Sequence, residues 1–281
     1  MARLIPTINY GMDDGYPERL LIPLEECAWN ESDMPIEHRG VDGEWLFNLV
    51  HEVNYQRNRR VDQYHYQQRA SINLDNVPWP EYPSAMAGNL TASSLVTAHI
   101  IPWTNEISAP LFARVPIDAR GKPSIFVSYT WTSGLLDMGY GVIYAIQQYL
   151  HRNNFIWMDL FCHNQHKIGS VARQMEQVIA GVDRILLPMS EHPWYDRTWC
   201  IWEVLCALRY NKEIVFLDYD RKERDYRNIH SYFLENFKSI AASGTSLEED
   251  KNEITGAVID FFGSMEAADH YFVTMMKEKI G

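Results

Sequence analysis

A short apolar run, Ser124-Ile-Phe-Val-Ser-Tyr129, decides the fold class because it opens a regular alternation of strands and helices. Its β-branched and aromatic residues are typical of a buried strand. Similar runs recur at residues 155–159, 183–188 and 213–217. We therefore predict four strands in the second half of the chain.

Segments with helical periodicity separate these runs and follow the last of them. The spacing of apolar residues predicts helices over 141–150, about 168–179, 196–210, 226–240, 248–262 and 267–279. Asp196 is the predicted N-cap of the third helix. Strands that alternate with helices predict a parallel sheet covered by helices on both faces, which is an α/β fold.

Residues 1 to about 120 have a different composition, rich in Pro, Trp, Tyr, Asn and Gln. One helix is predicted there, within residues 43–70, because apolar residues recur at helical spacing. These residues are Trp45, Leu46, Leu49, Val50 and Val53. This region contains no recognisable motif, so the sequence is silent about its function.

Composition bounds the classes of function. The chain has 281 residues, 46% of them hydrophobic and 22% charged, which is typical of a globular protein. The formal net charge of -12 argues against general binding to nucleic acid or to an anionic membrane. The N-terminus has no apolar leader, no run of about 18 apolar residues occurs, and the four cysteines form no CxxC pair. We expect a cytoplasmic protein with neither a membrane nor a nucleic acid as its partner.

Three polar and aromatic loops follow the predicted strands, at residues 128–134, 159–166 and 189–196. Ligands of open parallel sheets bind at the carboxyl ends of the strands, where such loops lie. The third loop leads into the helix that carries Trp199-Cys-Ile-Trp-Glu203. These loops are therefore the predicted location of a functional site.

Glu203 is the candidate acid on that helix. One helix face is apolar and is expected to pack on the sheet; it carries Ile201, Val204, Leu205 and Leu208. Glu203 is predicted to point roughly opposite this face, with Trp199 one turn before it. An indole beside a carboxylate would change the solvation of the carboxylate and therefore its charge state. The alternative is an exposed helical glutamate without a function.

Other residue sets could carry different chemistry. Cys162, His163 and His166, together with Cys200, offer zinc ligands, although no fixed fourth ligand is evident. Cys200 could act as a nucleophile with His192 or His166 as its base, but a buried structural cysteine is the usual case.

Two further interpretations concern the loops themselves. Gln165 and His166 could orient Asp159 or fix their own loop. Ser128 lacks the glycine elbow of a triad nucleophile, which favours a hydrogen-bonding role at a strand end. No Walker A or GxGxxG sequence occurs, so the usual ATP-binding and hydride-transfer functions are not expected.

Four segments together resemble a Toll/interleukin-1 receptor (TIR) domain in their order and spacing. They are Ile125-Phe-Val-Ser-Tyr129, Trp157-Met-Asp159, Trp199-Cys-x-x-Glu203 after the third strand, and Ile214-Val-Phe-Leu217. The resemblance implies a flavodoxin-like sheet over about residues 121–240, with an N-terminal region (1–120) before it and C-terminal helices (241–281) packed beside it. The long polar segment after the second strand is similar to a divergent branch of the family.

The resemblance also implies an activity, because many TIR domains cleave NAD+ at the nicotinamide–ribose bond with a glutamate that corresponds to Glu203. NAD+ would then be the substrate, with no further cofactor and no metal, and the product would be ADP-ribose or a cyclic variant. The residues expected to bind substrate are Ser128, Tyr129, Trp131, Asp159, His166 and Trp199. The cationic side chains that could contact the pyrophosphate are Arg120, Lys122 and Lys167.

The family often functions in immune or defence signalling through homo-oligomers, and the resemblance implies the same here. Two other functions remain open at this point. One is a non-catalytic TIR scaffold that self-associates, and the other is an enzyme similar to nucleoside deoxyribosyltransferases.

Overall fold

The computed structural model describes residues 20–27, 29–53, 90–132, 134–135, 155–167, 171–189, 194–218, 233, 235–245 and 248–280. Within these residues the strands are β1 (Gly40–Asp42), β2 (Arg120–Gly121), β3 (Ile125–Val127), β4 (Phe155–Trp157), β5 (Arg184–Met189) and β6 (Glu213–Asp218). They form one six-stranded sheet in the order β2-β1-β4-β3-β5-β6. The chain therefore has a mixed α/β fold with a mostly parallel sheet.

The four predicted strands are confirmed as β3 to β6, and they pair in parallel. β3 and β4 are shorter than predicted, because Ser128 and Asp159 already belong to the segments that leave the sheet. The order β4-β3-β5-β6 corresponds to 2-1-3-4 in chain order, which is the start of the flavodoxin-like arrangement.

The N-terminal region adds β1 and β2, which the sequence did not predict. Both pair antiparallel, and β1 lies between β2 and β4. Glycines allow β1 and β2 to lie close to Phe155 of β4. A Cβ on Gly121 would lie 2.2 Å from ring atoms of Phe155, and one on Gly40 would lie 2.7 Å from Phe155 Cβ. The predicted boundary at residues 120/121 thus falls inside β2, while the division into 1–120, 121–240 and 241–281 stays a prediction.

The described helices are α1 (residues 43–53), α2 (Ala92–Leu95), α3 (Ile101–Thr104), α4 (Asp159–Cys162), α5 (Ala172–Gly181), α6 (Thr198–Arg209), α7 (Glu248–Phe262) and α8 (Met265–Ile280). A π-helical turn, Val96–Ile100, joins α2 to α3. The predicted helices over 168–179, 196–210, 248–262 and 267–279 correspond to α5, α6, α7 and α8.

Some predictions about the helices differ from the structure or lie outside it. The prediction of Asp196 as an N-cap is wrong: Asp196 ends a 3-10 turn, and Arg197 is the N-cap of α6. The helix predicted over 141–150, residues 54–70 of the predicted N-terminal helix and most of the one over 226–240 lie outside the described residues.

Helices α5 and α6 contact each other, α6 contacts β5 and β6, and α7 and α8 both contact α6. Gly263 joins α7 to α8 with φ +83°, a conformation that glycine adopts without strain. The buried apolar residues form one cluster that includes both the N-terminal region and the parallel sheet. At its centre the rings of Phe126 and Trp157 stack with centroids 4.9 Å apart. The helix α6 is thus enclosed between the sheet and the C-terminal helices.

Candidate functional site

The candidate site lies at the carboxyl ends of β3 and β5. From β3 the chain reaches β4 on one side, and β5 pairs with β3 on the other side. The strand order therefore reverses between β3 and β5, and open α/β sheets bind their ligands at such a point.

A proline explains why the sheet opens there. Ser128 N donates to Leu186 O at 2.9 Å, which is the last bond from β3 to β5. The next bond of a parallel ladder would come from the backbone N of residue 188 to the Ser128 carbonyl, but Pro188 has no N–H. Pairing between β3 and β5 therefore ends at Ser128, and the chain after it is free to leave the sheet.

Glu203 lies beside this opening and is buried, with 9% of its surface exposed. The direction predicted for Glu203, roughly opposite the apolar face of its helix, does not take it to solvent, so the alternative of an exposed glutamate is wrong. Burial raises the pKa of Glu203 well above its usual value; the nearby Ser128 hydroxyl offsets part of this, and the charge of Asp159 raises the pKa further. No described cation is among the groups that shift the pKa of Glu203.

The reason for this burial is that α6 has no solvent face near Glu203. Every residue from Cys200 to Leu208 is buried. Trp202 Nε1 donates to Ala172 O at 3.1 Å, and its ring meets Phe261 of α7 edge-on with centroids 5.6 Å apart. A helix that is apolar around its whole circumference is a core helix, and the sequence Trp-Cys-Ile-Trp-Glu-Val-Leu-Cys-Ala-Leu already carries that signal.

Ser128 contributes a hydroxyl without a hydrogen bond. The residue is 1% exposed, and its Oγ has no hydrogen-bond partner among the described residues. It still lies close enough to Glu203 and Cys200 to lower the pKa of each. A buried hydroxyl rarely lacks a partner in a folded protein, and Glu203 and Cys200 are the neighbouring groups available to this one.

Asp159 fixes the loop that follows β3. Its Oδ1 accepts from the Tyr129 hydroxyl and from Leu160 N at 2.7 Å, and its Oδ2 accepts from Trp131 Nε1 at 2.8 Å. Burial first, and then the charge of Asp159, raise the pKa of Tyr129 well above its usual value. The carboxylate thus holds two aromatic side chains of the loop in fixed positions, which gives Asp159 a loop-ordering role.

His166 is held on the other side of Asp159. Its Nε2 lies 2.8 Å from Thr104 Oγ1, and Gln165 Nε2 donates to the Asp159 backbone carbonyl at 2.9 Å. Gln165 therefore contacts Asp159 directly, whereas the described hydrogen bond of the His166 ring is to the N-terminal region. No local sequence signal pointed to Thr104.

Three of the other predicted contact residues, Trp199, Arg120 and Lys122, are directed elsewhere or lie at the other end of the sheet. Trp199 Nε1 donates to Asp250 of α7 at 3.0 Å, so its indole N–H is directed to the C-terminal helices and not to Glu203. Arg120 and Lys122 precede β3, at the amino end of the sheet, and the Arg120 guanidinium donates to backbone carbonyls of Val115 and Ala113. Both are therefore at the opposite edge from Ser128. Lys167 is exposed beyond α4.

The cysteine-based alternatives receive no support from the described residues. Burial raises the pKa of Cys162 to about 12, and burial, followed by the charge of Glu203, raises the pKa of Cys200 above its usual value. Both sulfurs are therefore held as thiols, which are weak nucleophiles and weak metal ligands. The described part of the chain contains no group of three or more His, Cys, Asp or Glu side chains placed to hold a metal ion. His192 lies outside it.

Comparisons with protein families, with curated proteins and with solved structures found no match to this chain. Among the described helices, none combines the length and the apolar composition needed to cross a bilayer.

Proposed function

We propose that this chain is a TIR-type NAD+ glycohydrolase or cyclase in which Glu203 is the catalytic residue. The observation that carries the proposal is the buried carboxyl of Glu203 at the reversal of the strand order, beside the buried Ser128 hydroxyl. A buried acid is costly to ionise unless a cation or hydrogen bonds compensate it. A positively charged ligand is the partner that such a group lacks.

NAD+ supplies that charge at the bond to be cleaved. The nicotinamide ring nitrogen is already cationic, so nicotinamide leaves with the bonding electron pair and needs no general acid. The ribose then becomes an oxocarbenium-like cation, which one carboxylate stabilises electrostatically or by attack. Water adds to the anomeric carbon and releases a proton, giving ADP-ribose; attack by a nucleophile of the same molecule gives a cyclic product. A second carboxylate, as in typical glycosidases, is not required.

Three neighbouring side chains have roles in this proposal. The Ser128 hydroxyl hydrogen-bonds a ribose hydroxyl or the Glu203 carboxylate once substrate is bound. Trp131 is half-buried and held through its ring N–H by Asp159, so its face is available to stack on nicotinamide or adenine. Asp159 supports this geometry and does not take part in the bond changes.

The cellular part of the proposal rests on the TIR resemblance alone. It comprises a homo-oligomer that forms through the TIR-like region, a site completed by a second copy, and a role in immune or defence signalling in the cytoplasm.

The test is nicotinamide release from NAD+ by the purified full chain, measured at high protein concentration so that assembly is permitted. Release of nicotinamide, with ADP-ribose or a cyclic isomer as the second product, supports the proposal. Specific oligomers without any nicotinamide release would instead favour the non-catalytic scaffold. Base exchange on nucleosides, without turnover of NAD+, would favour the deoxyribosyltransferase-like function.

A further inference from the structure

One segment of the N-terminal region contacts both loops that carry the candidate site. This segment, residues 90–108, contains α2, the π-helical turn, α3 and the turn that follows, and we call it the brace. The capping box formed by Thr91 and Ser94 fixes its beginning. The brace contains no recognisable sequence motif, so its role has to be inferred from its contacts with the two loops.

The start of the brace holds the loop that follows β3. Ser93 N donates to the backbone carbonyl of Trp131 at 3.2 Å, and Leu135 N donates to Leu90 O at 2.7 Å. Thr91 also forms an isolated antiparallel bridge with Gly134. These contacts are made by the backbone, and they fix the same loop that Asp159 holds through the side chains of Tyr129 and Trp131.

The end of the brace holds the loop that follows β4. Asn164 Nδ2 donates to Ser108 O at 2.8 Å, and His166 Nε2 meets Thr104 Oγ1 at 2.8 Å. Between these two residues, Gln165 Nε2 donates to the Asp159 carbonyl at 2.9 Å. Asn164 and His166 thus connect this loop to the brace, and Gln165, which lies between them in sequence, connects the loop to Asp159.

The hydrogen-bond pattern gives Thr104 a specific role. Thr104 is fully buried, and its hydroxyl donates to Ile100 O at 2.7 Å. A hydroxyl has one proton, so toward His166 it acts as acceptor, and the network assigns the proton to His166 Nε2. A side chain of the same shape without an oxygen would leave that N–H without its acceptor.

We propose that Thr104 is a positioning residue for the Glu203 site: it accepts from His166, so that the loop bearing Gln165 holds Asp159, and through Asp159 holds Tyr129 and Trp131. This inference rests on the proposed function for its effect on catalysis. It assigns residues 90–108 the role of aligning the site, which is a role for a region whose sequence carries no motif.

The test compares Thr104→Val, which removes the acceptor at nearly constant shape, with Thr104→Ser, which keeps the hydroxyl. Thr97→Val is the matched control, because Thr97 is exposed on the same brace and bonds only to carbonyls of its own helix. The first readout is hydrogen exchange at the Leu160 amide and at the Trp131 indole N–H, which both donate to Asp159. It requires no turnover, so it stands whether or not the chain cleaves NAD+.

In Thr104→Val, exchange of these two protons should accelerate about ten-fold, the factor expected for one lost buried hydrogen bond. In Thr104→Ser and Thr97→Val it should stay within about two-fold of the wild type. With NAD+ turnover present, Thr104→Val should lower kcat more than it changes KM, and Thr104→Ser should restore kcat. Unchanged exchange at both positions would overturn the proposal, and so would an equal acceleration at amides of β6, which indicates general loss of stability.

Discussion

Replacing Glu203 by glutamine should make the folded chain more stable at pH 8, although it removes the proposed catalytic carboxylate. Burial raises the pKa of Glu203 well above its usual value, whereas in the unfolded chain a glutamate titrates near pH 4.3. Between these two pKa values only the folded chain holds the extra proton, so the free energy of unfolding falls as pH rises through that window. Above the pKa of Glu203 in the folded chain, the carboxylate is charged in both states, and the full cost of burying its charge lowers the free energy of unfolding. Glutamine has no such proton, and Glu203→Gln removes this loss.

The size of the effect follows from the surroundings of the carboxyl. With 9% of its surface exposed, Glu203 has lost nearly all contact with water. Asp159 adds repulsion, and among the described residues the Ser128 hydroxyl offsets part of it. Each pKa unit between the two states corresponds to about 1.4 kcal/mol, and removal of an uncompensated buried charge typically gains about 1–3 kcal/mol. For a chain of this size we expect Tm to rise by roughly 2–4 °C per kcal/mol.

The assay is thermal unfolding of wild type and Glu203→Gln at several pH values from 5 to 8.5. Glu106→Gln is the control, because Glu106 is an exposed carboxyl in the turn after α3. The Tm values of wild type and Glu203→Gln should approach each other near pH 5 and separate as pH rises. The Tm of Glu106→Gln should follow that of the wild type at every pH. A constant difference across the range, or a less stable Glu203→Gln at pH 8, would contradict a buried and uncompensated charge at Glu203.

Three further changes test the ordering of the site loop and the packing of the fold. Asp159→Asn replaces a charged acceptor of three hydrogen bonds, so urea titration should show a loss of about 1.5–3 kcal/mol, and NAD+ turnover should fall less than in Glu203→Gln; a neutral effect on stability would contradict the ordering role. Gly121→Ala places a Cβ 2.2 Å from the Phe155 ring and should destabilise the chain by about 1–3 kcal/mol. Gly256→Ala, inside α7 with open space around it, should instead stabilise by about 0.5–1 kcal/mol; equal effects of the two alanines would contradict the packing described for β1, β2 and β4.

The parallel part of the fold could be predicted because its strands are continuous apolar runs. Burial on both faces selects such runs, so β3, β4, β5 and β6 were each found within about two residues of their ends. β1 and β2 could not be found in this way. They are three and two residues long, and what defines them is the space that Gly40 and Gly121 leave for Phe155, which is a tertiary contact without a local pattern.

The site shows the same limit. The order of the segments brought Ser128, Asp159 and Glu203 to one edge of the sheet, and the structure places them there. The environment of Glu203 differs from the prediction because α7 and α8 cover the face of α6 that an isolated amphipathic helix would present to solvent. The partners of Trp199 and His166, which are Asp250 and Thr104, lie 51 and 62 residues away in the chain, so no spacing rule could reveal them.

The catalytic assignment of Glu203 is tested by the initial rate of nicotinamide release from NAD+ by wild type, Glu203→Gln and Glu106→Gln at one pH and one high protein concentration. We expect Glu203→Gln, folded and at least as stable as wild type, to lose about 10²-fold or more in turnover, the loss typical when one electrostatic stabiliser of a transition state is removed. Glu106→Gln should turn over like the wild type. Turnover near the wild-type rate in folded Glu203→Gln would contradict the catalytic assignment.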